Sequence, residues 1–215
     1  MKNSVYVVDG DYLIEKMFRK RGYFLTDTPD GAEILVFTGG HDVTPSYYGM
    51  GRHPTTSNSE ARDSREKTFF LESEGKLRVG ICRGSQFLCV MNGGTLYQDV
   101  DGHCNGPHNL IYTDDTGKDS VITVTSTHHQ MMRPSYAADP NGGYNYRLWG
   151  FAAESSYRNF EPRDHQKPTQ SEEGPDSEIV FFPETRSLCF QGHPEYDLKS
   201  CEDLFFSCLN RALSY

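Results

Sequence analysis

The amino-acid sequence predicts an α/β fold, in which helices pack on both faces of a mostly parallel β-sheet. Short runs of β-branched and aromatic residues alternate along the chain with segments of helical periodicity. Such alternation favours parallel strands, because each helix carries the chain back across the sheet. The chain has 215 residues with 24% charged and 13% aromatic side chains, which is typical of a folded protein with one sizeable core.

The first half of the chain contains three buried strands in this prediction, at residues 5–8, 34–37 and 77–81. A helix is predicted after the first strand, with Asp11 as its N-cap and Gly22 beyond its end. Two further helices are predicted, over residues 59–76 and 84–92.

In the second half, residues 121–125 alternate as a strand does, and residues 179–182 and 188–191 do so more weakly. The last two are predicted to pair across the turn at Pro183-Glu184. A C-terminal helix follows, with an apolar stripe from Leu198 to Ala212.

Residues 133–177 differ from the rest, because they are rich in Pro, Gly, Asn, Tyr and acidic residues. A structureless stretch of this length is uncommon inside a compact domain, so we expect a loop-rich insertion or a lid over a site. Since there is no internal repeat, residues 1–215 are predicted to form a single domain.

Composition excludes several classes of function. The formal net charge of −9 makes nucleic-acid binding unfavourable, because such binding depends on neutralising phosphates. No apolar stretch approaches the roughly 18 residues that a membrane span needs. Six scattered cysteines without an export signal predict reduced thiols and a cytoplasmic location.

The most informative segment is the junction between the third strand and the following helix. Cys82 lies there with Gly80 and Gly84 on either side, the G-x-nucleophile-x-G pattern of a sharp strand-to-helix turn. The turn exposes the sulfur, and the helix N-terminus favours its thiolate form. These residues predict that Cys82 is a nucleophile.

Two other loops are expected at the same edge of the sheet, because parallel strands end together. The Gly pair at 39–40 follows a strand, and backbone N–H groups near Gly40 and Arg83 are predicted to form an oxyanion hole. His193 and Glu195 follow the last strand two residues apart, so Glu195 can orient the imidazole as a base for Cys82.

Together these segments resemble the class I glutamine amidotransferase-like superfamily, and most resemble its γ-glutamyl-γ-aminobutyrate hydrolase branch. The matching motifs are Gly39-Gly40-His41-Asp42-Val43-Thr44-Pro45, Arg62-Asp63, Gly80-Ile81-Cys82-Arg83-Gly84-Ser85-Gln86, Gly93-Gly94-Thr95-Leu96-Tyr97-Gln98-Asp99, Ser126-Thr127-His128-His129-Gln130 and Gly192-His193-Pro194-Glu195. Residues 133–177 match no part of the family pattern.

The resemblance implies a flavodoxin-like three-layer α/β/α sandwich and a Cys-His-Glu triad. It implies hydrolysis of glutamine or a γ-glutamyl amine through a γ-glutamyl thioester, without a cofactor. It also implies that the pocket for the glutamyl group is lined by Gly39, Gln86, Ser126, His128 and His129. The identity of the leaving amine is left open.

Two other functions share these motifs. A glutaminase subunit would pass ammonia to a synthetase on another chain, which makes a synthetase a predicted partner. A non-catalytic sensor of the same fold would keep the elbow cysteine, but such proteins generally lack the His-x-Glu pattern.

A metal site is the remaining alternative, because His103, Cys104 and His108 lie close in sequence. They occupy a Gly/Asn/Pro segment without the paired spacings of structural zinc sites. The sequence therefore favours a solvated loop and no metal.

Overall fold

The computed structural model describes residues 3–104, 106–134, 145–154, 158–159 and 175–215. The helices are α1 (Tyr12–Lys20), α2 (Glu60–Glu72), α3 (Arg83–Met91) and α4 (Lys199–Leu213). The strands are β1 (Ser4–Val7), β2 (Phe24–Leu25), β3 (Ile34–Phe37), β4 (Leu77–Ile81), β5 (Thr95–Tyr97), β6 (Asp99–Val100), β7 (His108–Thr113), β8 (Asp119–Val124), β9 (Met131–Arg133), β10 (Arg147–Ala152), β11 (Arg158–Asn159), β12 (Ser177–Phe182) and β13 (Ser187–Phe190).

The main sheet has the strand order β2-β1-β3-β4-β13-β12-β10-β7-β8. The first five strands in this order, β2, β1, β3, β4 and β13, run parallel to one another. The remaining strands, β12, β10, β7 and β8, each pair antiparallel with the strand before them. The four residues of β3 and the five of β4 are all buried, as expected for strands covered on both faces. The parallel centre was predicted, whereas its antiparallel extension was not.

The layers follow from the alternation of side chains along the strands. In β3, Ile34 and Val36 pack with α1 and α4, while Leu35 and Phe37 pack with α2 and α3 on the other face. Helices therefore cover both faces of the sheet. The prediction of a flavodoxin-like α/β/α sandwich is confirmed.

The local signals for α1 and for the last hairpin also agree with the structure. Asp11 Oδ1 accepts hydrogen bonds from the backbone N–H groups of Leu13 and Ile14, at 2.9 and 3.0 Å. Strands β12 and β13 pair antiparallel, with Val180 opposite Cys189. This is the pairing across the 183–184 turn that the sequence predicts.

One predicted loop contains a strand. Within residues 133–177, β10 lies between β12 and β7 in the sheet, and its Trp149 stacks on Phe181 with ring centroids 4.9 Å apart. The register of β10 shifts on both sides of Gly150, which breaks the two-residue period that would have indicated a strand. Residues 135–144, 155–157 and 160–174 of the predicted lid lie outside the described residues.

The structure describes all six cysteines, and each is a free thiol. Among the helices of the described residues, none is long and apolar enough to cross a membrane.

Candidate active site

The predicted site residues come from loops at the ends of three neighbouring parallel strands. Strand β3 leads into the Gly39-Gly40 loop, β4 leads into Cys82, and β13 leads into His193. Because β3, β4 and β13 are adjacent in the sheet, their carboxyl ends bring the three loops together at its centre.

Cys82 occupies the strained turn that its glycine neighbours predict. It has φ 51° and ψ −111° and immediately precedes the first residue of α3. A Cβ atom at position 80 would lie 2.4 Å from the carbonyl carbon of Gly84, and one at position 84 would lie 2.1 Å from the carbonyl oxygen of Phe37. Only glycine fits at both positions. The turn therefore presents the Cys82 thiol at the N-terminus of α3, where the helix dipole stabilises a thiolate.

His193 and Glu195 lie beside Cys82. The Nδ1 atom of His193 is 2.6 Å from Oε1 of Glu195, a contact that leaves Nε2 for the thiol. The Thr125 hydroxyl fixes the backbone of His193: it accepts a hydrogen bond from the His193 N–H at 2.7 Å and donates one to the His193 carbonyl at 3.0 Å. The ring of Tyr196 stacks on the imidazole, with centroids 4.6 Å apart. These contacts hold the imidazole in one orientation.

The environment of His193 favours its protonated form. Burial lowers the pKa of His193, but hydrogen bonds to Cys82 and Glu195, together with their negative charges, outweigh burial and raise this pKa to about 10. A protonated imidazole beside a thiolate is the resting arrangement expected of a cysteine nucleophile with its acid-base partner.

The Gly39-Gly40 loop packs directly against this pair. A Cβ atom on Gly39 would lie 3.1 Å from Cε1 of His193 and 3.8 Å from Cβ of Cys82. Gly40 has φ 126°, and a side chain there would also meet the guanidinium of Arg62 at 2.5 Å. The positive φ favours glycine at position 40, and the missing side chain at position 39 lets the loop backbone approach the thiol closely.

Charged side chains of α2 and Arg83 stabilise the Gly39-Gly40 loop and the turn at Cys82. Arg62 donates to the carbonyl oxygens of Thr38 and Gly39, at 3.1 and 2.9 Å. The guanidinium of Arg83 is buried between the carboxylates of Asp63 and Glu66 on α2.

The sequence marked the Arg62-Asp63 pair as a family motif without revealing this supporting role. The contribution of Glu66 was missed, because a single Glu within a charged helix carries no signal of burial.

A cavity of about 380 Å³ opens next to Cys82. Its lining residues are Gly40, His41, Asp42, Ser57, Cys82, Arg83, Gln86, Thr127, His128, His129 and Gln130. Of the predicted pocket residues, Gln86, His128 and His129 lie here. Gly39 contacts His193 instead, and Ser126 is buried with its hydroxyl donating to the backbone carbonyl of His103.

His129 lies in the cavity wall next to a carboxylate. Its Nε2 lies 3.2 Å from Oδ1 of Asp42, and this hydrogen bond raises the pKa of His129 against the effect of burial. The sequence offered no nearby carboxylate for His128 or His129. The fold supplies Asp42 to His129 and Glu178 to His128, from loops and strands distant in sequence.

The prediction of a solvated loop is wrong for the two histidines and agrees with the exposure of Cys104 and Pro107. His103 is only 3% exposed, and His108 is largely buried, because His103 faces Asp176 and Glu178 and His108 faces Glu178. Cys104 lies at the surface, and its thiol donates to the carbonyl of His128.

Comparison with known proteins agrees with this site. The family model described as Peptidase C26 matches residues 24–137, more than half of the chain. A protein of Mycobacterium tuberculosis that is assigned by name to the glutamine amidotransferases is 42% identical over 82 residues, covering 34% of this chain and 26% of that protein. The matched stretches span about a quarter to a half of the length of the curated relatives.

Solved structures show the same fold. A Thermoplasma acidophilum protein described as a GMP synthase subunit superposes with a TM-score of 0.60 at 18% identity, covering 100% of this chain and 96% of that one. A glutamine amidotransferase of Thermotoga maritima gives a TM-score of 0.55 at 14% identity, covering 99% and 84%.

The chain therefore belongs to the Peptidase C26 family, within the class I glutamine amidotransferase-like superfamily. The Mycobacterium tuberculosis relative and the Thermotoga maritima structure are both named as glutamine amidotransferases.

Proposed function

We propose that this protein hydrolyses the C–N bond of a γ-glutamyl amide, with Cys82 as nucleophile, His193 as acid and base, and Glu195 as the residue that orients His193. The observation that carries the proposal is the continuous contact from the elbow thiol through the His193 imidazole to the Glu195 carboxylate. A thiolate at a helix N-terminus, paired with an oriented imidazolium, is suited to attack on an amide carbonyl.

The reaction then has two halves. The Cys82 thiolate attacks the γ-carbonyl carbon, and the carbonyl electrons move to oxygen. As the C–N bond breaks, protonated His193 gives its proton to the leaving nitrogen, which departs as ammonia or an amine and leaves a γ-glutamyl thioester. His193 next takes a proton from water, whose oxygen attacks the thioester. Cleavage of the C–S bond releases glutamate and restores the thiolate.

The oxyanion formed in each half needs donors that are already in place. We assign this role to the backbone N–H groups of Gly40 and Arg83. Both residues lie in the wall of the Cys82 cavity, which supports the assignment. Arg62 also fixes the Gly39-Gly40 peptide by donating to its carbonyl oxygen, and the ion pair with Asp63 fixes the Arg83 side chain.

Binding of the glutamyl group is assigned to the wall that faces Cys82. His129 and Gln86 line the same cavity as the thiol, and the raised pKa of His129 favours its pairing with the α-carboxylate of the substrate. The side-chain amide of Gln86 donates a hydrogen bond to the Gln130 carbonyl at 2.8 Å, which fixes the position of Gln86 in the cavity wall. His128 lines this wall as well, and Ser126 is buried behind it.

The second candidate is a glutaminase subunit that performs the same chemistry on glutamine and hands ammonia to a synthetase on another chain. It is motivated by the fold shared with a protein described as a GMP synthase subunit. The two candidates differ in substrate, because only a hydrolase acts alone on γ-glutamyl amines.

Glutamate release from glutamine and from a panel of γ-glutamyl amines tests the proposal. Cys82→Ala should lower the rate by about 10⁴-fold or more, and His193→Ala should cause a similar loss, because nucleophile and base act as a unit. Glu195→Gln should cause a smaller loss, since Glu195 orients but does not react. Cys208→Ala removes a buried thiol on α4 and serves as the matched control with near-normal activity.

Wild-type rates in Cys82→Ala or His193→Ala would overturn the mechanism. Cys82-dependent turnover of glutamine alone, with every γ-glutamyl amine left intact, would instead favour the glutaminase subunit.

A further inference from the structure

A second cluster of titratable side chains lies behind the wall of the Cys82 cavity. It consists of His103, His108, His128 and Glu178, with Asp176 beside His103. His103 and His128 are each 3% exposed, Glu178 is 1% exposed and Asp176 is fully buried. Of these residues only His128 lines the Cys82 cavity, and the proposed hydrolysis gives no role to His103, His108, Glu178 or Asp176.

Three imidazole nitrogens converge on a single carboxylate oxygen. Oε1 of Glu178 lies 3.2 Å from Nδ1 of His103, 3.3 Å from Nε2 of His108 and 3.5 Å from Nε2 of His128. Among the described residues, none of these four atoms has a hydrogen-bond partner of acceptable geometry. Buried polar atoms left in this state are costly, so the arrangement calls for a further group at its centre.

The other ring nitrogens determine which atoms carry protons. Nε2 of His103 lies 3.0 Å from the Asp176 carboxylate, and Nδ1 of His128 lies 2.9 Å from the Gln130 carbonyl. Both partners can only accept, so both of these nitrogens are N–H donors. In a neutral ring, Nδ1 of His103 and Nε2 of His128 then present lone pairs toward Glu178. Lone pairs and a carboxylate repel one another unless a cation lies between them.

We propose that His103, His128 and Glu178 bind a divalent transition-metal ion of the Zn²⁺ type, with His108 completing the set. The donor atoms of His103, His128 and Glu178 all lie within 4.8 Å of one another. Ligands at 2.0–2.1 Å around a tetrahedral Zn²⁺ are about 3.3 Å apart, close to the separations from Glu178. Imidazole and carboxylate ligands suit zinc and its neighbours rather than Mg²⁺ or Ca²⁺.

The surroundings match those of metal-binding histidines. Asp176 and the Gln130 carbonyl hold the second nitrogen of His103 and of His128, which is how outer ligands fix the tautomer and raise the basicity of a ring. A cavity of about 330 Å³ is lined by His103 and His108 and offers the ion a path of entry.

The ion would join parts of the chain that are distant in sequence: the loop after β6, strand β7, the loop before β9 and strand β12. His128 lies between Thr127 and His129, which line the Cys82 cavity. The ion therefore has a positioning role, holding the substrate wall, and it takes no part in the chemistry at Cys82.

Metal analysis of the purified full chain tests this inference. After removal of bound metal and reloading with Zn²⁺, elemental analysis should find about one ion per chain. His103→Gln and Glu178→Gln should each lower Zn²⁺ affinity at least tenfold, and Asp176→Asn should weaken it about 10–100-fold. His53→Gln, a histidine outside the cluster, is the matched control and should bind as the wild type does.

Co²⁺ supplies a readout that does not depend on variants folding well. The wild-type protein loaded with Co²⁺ should show the intense visible bands of a tetrahedral site without the thiolate charge-transfer band that ligation by Cys104 would add. Zn²⁺ should also raise Tm.

Less than one tenth of an ion per chain after reloading, or equal Zn²⁺ binding in His103→Gln and Glu178→Gln, would overturn the inference in favour of a proton-sharing cluster. Cys82→Ala should bind Zn²⁺ normally, so failure of the proposed hydrolysis and failure of the metal site are separable results.

Discussion

At the scale of single residues, the properties of Cys82 come from its backbone and from one imidazole. The positive φ of 51° places the thiol at the first turn of α3, and His193 supplies the neighbouring positive charge. Hydrogen bonds and charge from Cys82 and Glu195 raise the pKa of His193 and outweigh the opposing effect of burial.

Titration of His193 by NMR measures this pKa shift. In the wild-type protein its pKa should lie near 10, well above the ordinary 6.5. Cys82→Ser removes the sulfur whose hydrogen bond and charge raise this pKa, so the His193 pKa should fall markedly. A His193 pKa near 6.5 in the wild type would contradict the ion pair.

The same shift has a consequence for stability. Because the folded-state pKa of His193 exceeds its unfolded value, protonation stabilises the folded state fully below about pH 6.5. That stabilisation is lost as the pH rises through the window up to about 10. The free energy of unfolding of Cys82→Ser should show a smaller pH dependence across this window than that of the wild type.

At the scale of elements, the elbow depends on how closely α3 packs on the sheet. A Cβ atom on Gly84 would meet the backbone carbonyl of Phe37 in β3 at 2.1 Å, and backbone cannot move aside as a flexible side chain can. The glycines at 80 and 84 therefore determine the distance between β4, α3 and β3 as well as the direction of the thiol.

Gly84→Ala should consequently destabilise the fold by about 2 kcal/mol or more, as overpacking against backbone does. Gly31→Ala is the matched control, since its Cβ would meet only a Thr26 methyl at 3.7 Å, and its effect should stay within about 0.5 kcal/mol. Chemical denaturation of both variants gives the comparison. Equal stability of the two variants would show that the elbow tolerates a side chain at position 84.

Local signals explain which elements the sequence could predict. Asp11, the run at 34–37 and the Gly80-Cys82-Gly84 pattern each encode their structure within a few residues, and all agree with the structure. Strand β10 was missed because the irregularity at Gly150 hides its periodicity. The burial of His103 was missed because Glu178 reaches it from 75 positions along the chain.

At the scale of the whole molecule, the two halves of the sheet have different roles. The parallel half positions Cys82, His193 and the Gly39-Gly40 loop, and buried ion pairs of Arg83 with α2 brace that arrangement. Such pairs are costly to break, since removing one partner leaves an uncompensated buried charge. The antiparallel half carries β7 and β12, whose His108 and Glu178 belong to the proposed metal cluster.

The candidate active site and the histidine cluster meet in the segment 126–130. Its buried His128 faces Glu178, while its neighbours Thr127 and His129 face the cavity beside Cys82. A disturbance of the histidine cluster should therefore reach substrate binding through this segment and leave the reactivity of the thiol itself intact.

Labelling with a glutamine-like chloroketone tests whether Cys82 is the nucleophile for γ-glutamyl substrates. Intact-mass analysis and peptide mapping should find a single adduct, on Cys82, that forms more slowly in His193→Ala and is prevented by excess γ-glutamyl amide. If Cys82 stays unlabelled, or if the surface thiol Cys104 is labelled faster and γ-glutamyl amide does not prevent it, then Cys82 is not the nucleophile for these substrates.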